Sequence, residues 1–298
     1  MPRMGENATE RMQRSRKCLQ ESMSDFAGNS RGFGRVTILT MARWRDRCLF
    51  DAEIYDAFEE VKKRENDRAL PLLPVVCREL DRLDGEAQFR AIIEGIVAGN
   101  IFDMGAEATA TTFRDSGPDF FQTRSKLPHR PWLIDDYDTL ADRMLHHPIH
   151  RKAVFFIDNA GSDFLLGALP MIRWLAMRGT HVIMAANQRP TLNDMTLHEV
   201  NQLWPAILEA EPSFASLPMQ IVSTGTSDPL IDLSEVSDEL NAASADADFV
   251  ILEGMGRGVE SNLDARFTCD ALNIAMIKDG VVAKQVGGKI FDLVCRFR

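Results

Sequence analysis

Lys152-Ala-Val-Phe-Phe-Ile-Asp158-Asn159-Ala-Gly161 is an apolar run that ends abruptly in an acid, an amide and a glycine. A short apolar stretch bounded by a turn signal reads as a buried strand of a parallel sheet. In an open α/β sheet, ligands bind in the crevice beyond the carboxyl ends of the strands. A strand that delivers hard oxygen ligands there points to a metal or phosphate site. The same four residues, Asp-Asn-Ala-Gly, also make a good turn, since Asp and Asn bond their own backbone and Gly tolerates positive φ. The neighbouring segments decide between the two.

Strands are expected at Ala153–Ile157, Val182–Ala186, Gln220–Ser223, Phe249–Leu252 and Ile274–Ile277. Between the first two, Asp163–Arg178 carries Leu, Met and Ile at helical spacing and is closed by Gly179, a helix C-terminus. Alternating strands and helices imply a largely parallel, helix-covered sheet from about Trp132 to Arg298. Upstream the texture is helical. Val76, Leu80 and Leu83, then Phe89, Ile92, Ile93, Ile96 and Val97, recur at three- and four-residue spacing, and the last helix is expected to stop at Gly99-Asn100. The chain therefore divides into a helical region over 36–131 and an α/β core over 132–298.

The residues just after the expected strands are Asp158-Asn159, Asn187, Thr224-Gly225-Thr226, Glu253-Gly254 and Lys278. Each alone also reads as a cap or a solvated strand end. Their coincidence along one sheet edge favours a place that holds a divalent cation together with an anion. Glu253-Gly-Met-Gly-Arg-Gly258 invites a dinucleotide-binding oxidoreductase, but its glycine spacing departs from GxGxxG, and Walker and GxSxG motifs are absent. His146, His147 and His150 read as solvated surface, and the charged run Glu59–Arg68 as a solvated helix face.

A net charge of −10 and a pI near 5.2 exclude a nucleic-acid footprint, which needs a basic face. Residues 1–30 hold no secretory apolar core, and acids at Glu6 and Glu10 interrupt a presequence-like run of arginines. No apolar run is long enough to span a bilayer. Five scattered cysteines without a CxxC pair read as reduced residues of a cytoplasmic protein. The sequence carries no signal of oligomeric state.

Lys63-Arg-Glu65-Asn66, Ala98-Gly-Asn100-Ile-Phe-Asp103, Arg130-Pro-Trp132, Asp158-Asn159-Ala-Gly161, Asn187 with Pro190, Asn193-Asp194 and Glu253-Gly-Met-Gly-Arg257 together carry a resemblance. The chain resembles the metal-dependent damage-control phosphatases, formerly DUF89, in the branch with the EGMGR motif, from roughly Phe50 to Arg298; residues 1–35 match little. The resemblance implies a Rossmann-like α/β/α core beside an N-terminal helical region. It implies one divalent metal ion (Mn, Co, Ni or Mg) held by Asp158, Asn159 and Asp194. It implies hydrolysis of small phosphorylated metabolites, foremost 4′-phosphopantetheine or its oxidised derivatives. Sugar phosphates such as fructose 1-phosphate are the alternative substrates, and a non-catalytic metal-binding module the alternative role. Asp158 and Asp194 are expected to serve catalysis, with Glu253 orienting water or holding the glycine loop and Lys278 neutralising a phosphate oxygen. Asn100, Asp103, Asn187, Gly254, Gly256 and Arg257 are expected to contact substrate, the glycines through backbone N–H groups.

Overall fold

A computed structural model describes residues 7–28, 36–101 and 120–298. The helical region comprises α1 (Ala8–Gly28), α2 (Ile38–Asp51), α3 (Glu59–Ala69), α4 (Leu73–Leu80), α5 (Gly85–Asn100) and α6 (Phe120–Ser125). Thr37 and Thr40 close a capping box at the start of α2, satisfying N–H groups that the first turn leaves without partners. The helix expected to stop at Gly99-Asn100 does so. Its apolar stripe, Phe89, Ile92, Ile93, Ile96 and Val97, is buried against the sheet side of the molecule.

Seven strands form one sheet in the order β1-β7-β6-β5-β2-β3-β4. They are β1 (Ile134–Asp135), β2 (Lys152–Phe156), β3 (His181–Ala186), β4 (Met219–Ser223), β5 (Phe249–Glu253), β6 (Asp270–Met276) and β7 (Leu293–Phe297). The five expected strands are present, and β1 and β7 are added at one edge, where β7 runs antiparallel to β6. The core helices are α7 (Tyr137–His146), α8 (Leu169–Met177), α9 (Leu197–Ala210), α10 (Asp238–Ser244) and α11 (Gly280–Val286). The expected helix Asp163–Arg178 begins as a π-wound stretch over Asp163–Ala168 and becomes α8.

The central strand is β2, paired in parallel with β3 on one side and β5 on the other. Its uninterrupted apolar run follows from that position, because both faces and both edges are covered. Phe155 is fully buried, and its truncation to Ala would cost about 3–5 kcal/mol. From β2 the chain winds through β3 to β4 and then returns to the other side of β2 as β5. The strand order therefore reverses between β2 and β5, which opens the crevice where α/β sheets bind ligands.

Two expectations are corrected by packing. Cys18 of α1 and Cys48 of α2 form a disulfide with Cα atoms 5.6 Å apart, so they are not the reduced thiols expected; two helices lying side by side bring together residues 30 apart in sequence. The charged face of α3 is not wholly solvated either: Lys62 is buried, 2.7 Å from Asp56 and 2.6 Å from Glu199. Among the described residues, no helix is long and apolar enough to cross a membrane.

Candidate active site

Asp158 and Asn159 leave β2 at its carboxyl end, as expected. Gly161 follows with φ +76°, and a Cβ there would lie 2.7 Å from Glu65 of α3. The Gly161 N–H donates to Asn66 Oδ1 at 2.7 Å, so α3 docks directly onto the loop. This is the physical content of the Lys63-Arg-Glu65-Asn66 motif. After β3, the segment from Asn187 to Thr196 folds back beside that loop: Met195 N–H donates to the Asp158 carbonyl and Ala160 N–H to the Asn193 carbonyl, each at 2.9 Å. Asp194 therefore sits next to Asn159 in an isolated bridge, just ahead of α9.

Arg257 joins the two acids. The chain turns sharply at Gly254 (φ +89°), where a Cβ would fall 2.0 Å from Asp158 Oδ2, and winds as a π-type turn over Met255–Ser261. That turn carries the buried Arg257 guanidinium back to Asp158, to which Nη1 donates, and to Asp194 Oδ2, which accepts from Nη2 at 2.6 Å. A fork of donors spanning two carboxylates is the geometry arginine is built for.

Amides complete the cluster. Asn159 Nδ2 donates to Asp158 Oδ2 at 2.9 Å, and Asn187 Nδ2 donates to Asp194 Oδ2 at 3.0 Å and to the Asp228 carbonyl at 3.1 Å. Asn100 Nδ2 reaches Asp158 Oδ2 at 3.3 Å and Asp163 Oδ2 at 3.0 Å. Asn100 and Asn187 are both fully buried, so they hold the acids rather than touch a substrate as expected. Gly254 is corrected likewise: its N–H donates to the Ile274 carbonyl at 3.0 Å and is not offered to an anion.

Glu253 is fully buried, and among the described residues no donor reaches either of its oxygens or Asp163 Oδ1. Burial first, and then the neighbouring Asp163, push its carboxyl well above the ordinary range, against the pull of Lys278. A protonated Glu253 facing Asp163 satisfies both groups. Glu253 does not line the cavity and stands behind the acids. Asp103 lies outside the described residues.

The cluster opens on a cavity of about 610 Å³. Asp158, Asn159, Asp194, Gly256 and Lys278 line it, as does Glu260, whose carboxyl is raised by burial and then by Asp279. Much of the remaining wall is apolar, drawn from α1 (Leu19, Met23) and α2 (Ile38, Met41, Trp44). None of these side chains, nor Asp163 or Glu260, carries a site signal in the sequence. Helical spacing marks Leu19/Met23 and Ile38/Met41 as one-sided, but it does not say what they face. A larger cavity of about 710 Å³ shares Arg45 and Leu192 with the first. Gly225 and Thr226 of the expected strand ends line it, but Asp158, Asn159, Asp194 and Lys278 do not, and its Arg43 is committed to Asp228 and Glu235, so the smaller cavity is the candidate site.

Among the described residues, no three His, Cys, Asp or Glu side chains gather in a metal-holding group. The donor set is instead two carboxylates and an amide, with a guanidinium between the acids. It fits a hard divalent cation by its chemistry: oxygen donors, concentrated negative charge, and a protein cation already standing where charge must be balanced. Outside the site, His150 is buried rather than solvated, bonded to Asp270 at 2.8 Å and stacked on Phe249.

Residues 6–294 match the family described as the damage-control phosphatase ARMT1-like domain. The chain is 38% identical over 263 residues to a damage-control phosphatase of Arabidopsis thaliana, covering 87% of this chain and 71% of that protein. It is 35% identical over 300 residues to pantothenate kinase 2 of the same plant, covering 89% of this chain and 33% of the relative. It is 30% identical over 346 residues to a mouse 4′-phosphopantetheine phosphatase, covering 98% and 42%. The chain thus spans about a third of the length of the plant kinase. A DUF89 family protein from Pyrococcus horikoshii shares the fold, with a TM-score of 0.66 at 17% identity over 98% of this chain and 99% of that one.

Proposed function

This chain belongs to the damage-control phosphatases with an ARMT1-like domain, and on that premise we propose that it is a metal-dependent hydrolase of small phosphomonoesters. The preferred substrates are 4′-phosphopantetheine or its oxidised derivatives. One observation carries the reading: two buried acids, bridged by a cation, open on a cavity otherwise walled largely by apolar side chains. A phosphate needs the charged end, and an extended alcohol with few charges suits the walls. A polyhydroxylated sugar would leave hydroxyls without partners, which puts sugar phosphates second.

Asp158, Asp194 and the Oδ1 of Asn159 would hold the metal ion, which supplies Lewis acidity and charge neutralisation at the phosphate. The protein's own part is positioning and electrostatics, as phosphoryl transfer demands. Lys278 donates from Nζ to a phosphate oxygen, and Arg257 holds Asp158 and Asp194 together beside it. Asp194 accepts the proton that the attacking water loses as the bond from phosphorus to the ester oxygen breaks, and that proton passes to the leaving alkoxide, which departs as the alcohol. Asn100 and Asn187 keep the acids in register, and the residues of α1 and α2 bind the organic part of the ester.

The test is phosphate release by chelator-stripped protein titrated with Mg²⁺, Mn²⁺, Co²⁺ or Ni²⁺, on 4′-phosphopantetheine and on fructose 1-phosphate. Metal-dependent release that favours the pantetheine ester is expected. Faster release from the sugar phosphate would replace the substrate assignment, and no release from either with any metal would leave a non-catalytic metal-binding module.

A further inference from the structure

We infer that Asp163 is a positioning residue that fixes which end of the Asn159 amide is presented to a cation. The inference rests on the proposed metal role of Asn159. Asp163 is buried at the first position of the π-wound stretch that precedes α8. The Phe164 N–H donates to the Asn159 carbonyl at 3.1 Å, which locks the helix start onto the loop. In this arrangement one oxygen, Asp163 Oδ2, accepts three N–H groups: Asn159 N at 3.2 Å, Asn159 Nδ2 at 2.7 Å and Asn100 Nδ2 at 3.0 Å.

Asn159 Nδ2 also donates to Asp158 Oδ2, so the amide nitrogen is engaged by two carboxylates at once. A flipped amide would set Oδ1 against both acids, oxygen against oxygen, with no proton between them. The amide is held in one orientation, and Oδ1 is left as its ligating atom. Asp158 alone cannot enforce this, because it is the group a cation would draw upon. Asp163 is not among the residues lining the cavity, and it keeps its grip on the amide from behind. Asn100 bridges the same two carboxylates and so ties Asp163 to Asp158.

A role as hydrogen-bond acceptor differs from a role as metal ligand or base in what Asp163→Asn does. The amide of that variant can offer its oxygen to the same three N–H groups and its nitrogen to Glu253. Mn²⁺ affinity, measured by calorimetric titration of chelator-stripped protein, is expected to stay within a few-fold of wild type in Asp163→Asn. In Asp163→Ala it is expected to fall about 10–100-fold, the scale for losing a group that orients a metal ligand. In an Asn159→Asp background, where no amide remains to orient, Asp163→Ala should cost no affinity. Equal losses in Asp163→Asn and Asp163→Ala, or wild-type affinity in Asp163→Ala, would overturn the assignment. If Asp163→Ala does not fold, Asp163→Asn decides alone: retained affinity supports the role and lost affinity overturns it.

Exchange of the Asn159 side-chain amide protons, followed by NMR without metal, gives a readout that needs no ion. Slow exchange in wild type and Asp163→Asn is expected; exchange equally fast in both would overturn the assignment. A wild-type protein that binds no Mn²⁺ would sink the metal reading, while the exchange measurement would still decide the role of Asp163.

Discussion

The two edges of this sheet each carry a charged cluster, and they differ in what surrounds it. At the amino ends of β2, β5 and β6, Asp270 accepts from Arg143 at 2.7 Å and meets His150 at 2.8 Å, with His150 packed on Phe249. None of these four residues lines either of the two cavities. At the carboxyl ends, Asp158, Arg257 and Asp194 form a cluster that does open on a cavity, backed by buried oxygens of Asn100, Asp163 and Glu253 that no donor among the described residues reaches. Ion pairs alone therefore do not mark a site. Ion pairs with unsatisfied neighbours and room beside them do.

The sharpest way to break this contrast is to remove an acid from each edge. Asp158→Ala or Asp194→Ala should lower turnover of p-nitrophenyl phosphate at saturating metal by at least ~10²-fold, the scale for losing a charge-stabilising group. Asp270→Ala should leave turnover within a few-fold while costing about 1–3 kcal/mol, because buried His150 loses its partner. Steady-state kinetics and urea unfolding of the same preparations give both numbers. A large kinetic loss in Asp270→Ala would erase the distinction between the edges.

Arg257 offers the next largest effect. Arg257→Met leaves two buried carboxylates without their shared cation, and breaking a buried pair from one side costs roughly 3–5 kcal/mol. If the place calls for a cation, Mn²⁺ should raise the melting temperature of Arg257→Met more than that of wild type. An equal metal-induced shift in both proteins would mean that the guanidinium and the metal do not share those oxygens.

What the sequence made legible follows the same division. Apolar runs ending in Asp158, Asn187 and Glu253 announced strand ends, because burial on both faces leaves an uninterrupted signature in β2, β3 and β5. The strand β1 is two residues long, and β7 ends in Arg296 and Phe297 at the sheet edge, so neither carries that signature. Asp194 could be placed near Asp158 only through the family resemblance, since their approach depends on backbone bonds between two separate loops. Arg257 was expected at the substrate, but the turn at Gly254 aims it at the acids. The apolar wall comes from α1 and α2, and a helical stripe names a face without naming its partner. Asp163 sits one turn past Asn159 at the start of a helix, where an acid also reads as a favourable N-terminal charge.

The amino-edge cluster predicts a pH response of its own. Burial lowers the His150 pKa, opposed by its bond to Asp270. The native state thus favours neutral imidazole, while the unfolded chain takes up a proton near the ordinary histidine value of about 6.5. The unfolded state then binds more protons just below that pH, so stability falls as pH drops from there toward the lower native pKa. Unfolding free energy measured between pH 7.5 and 5.5 should fall more steeply in wild type than in His150→Gln. Identical slopes would remove the histidine from the account.

The smallest expected effect falls on Glu253, and it separates a structural acid from a catalytic one within the carboxyl edge itself. A carboxyl raised far above its unfolded value stays protonated in the native state, so its contribution to stability is lost as pH rises through the ordinary glutamate range toward the native pKa. Glutamine supplies a donor to Asp163 without that titration. Glu253→Gln should therefore keep turnover within a few-fold and flatten the dependence of stability on pH above the unfolded glutamate pKa. An ionised Glu253 that orients water would instead show a fall in turnover approaching that of Asp158→Ala. Kinetics and pH-dependent unfolding of this one variant would then return the residue to the catalytic set, and with it the idea that every acid at this edge faces the substrate.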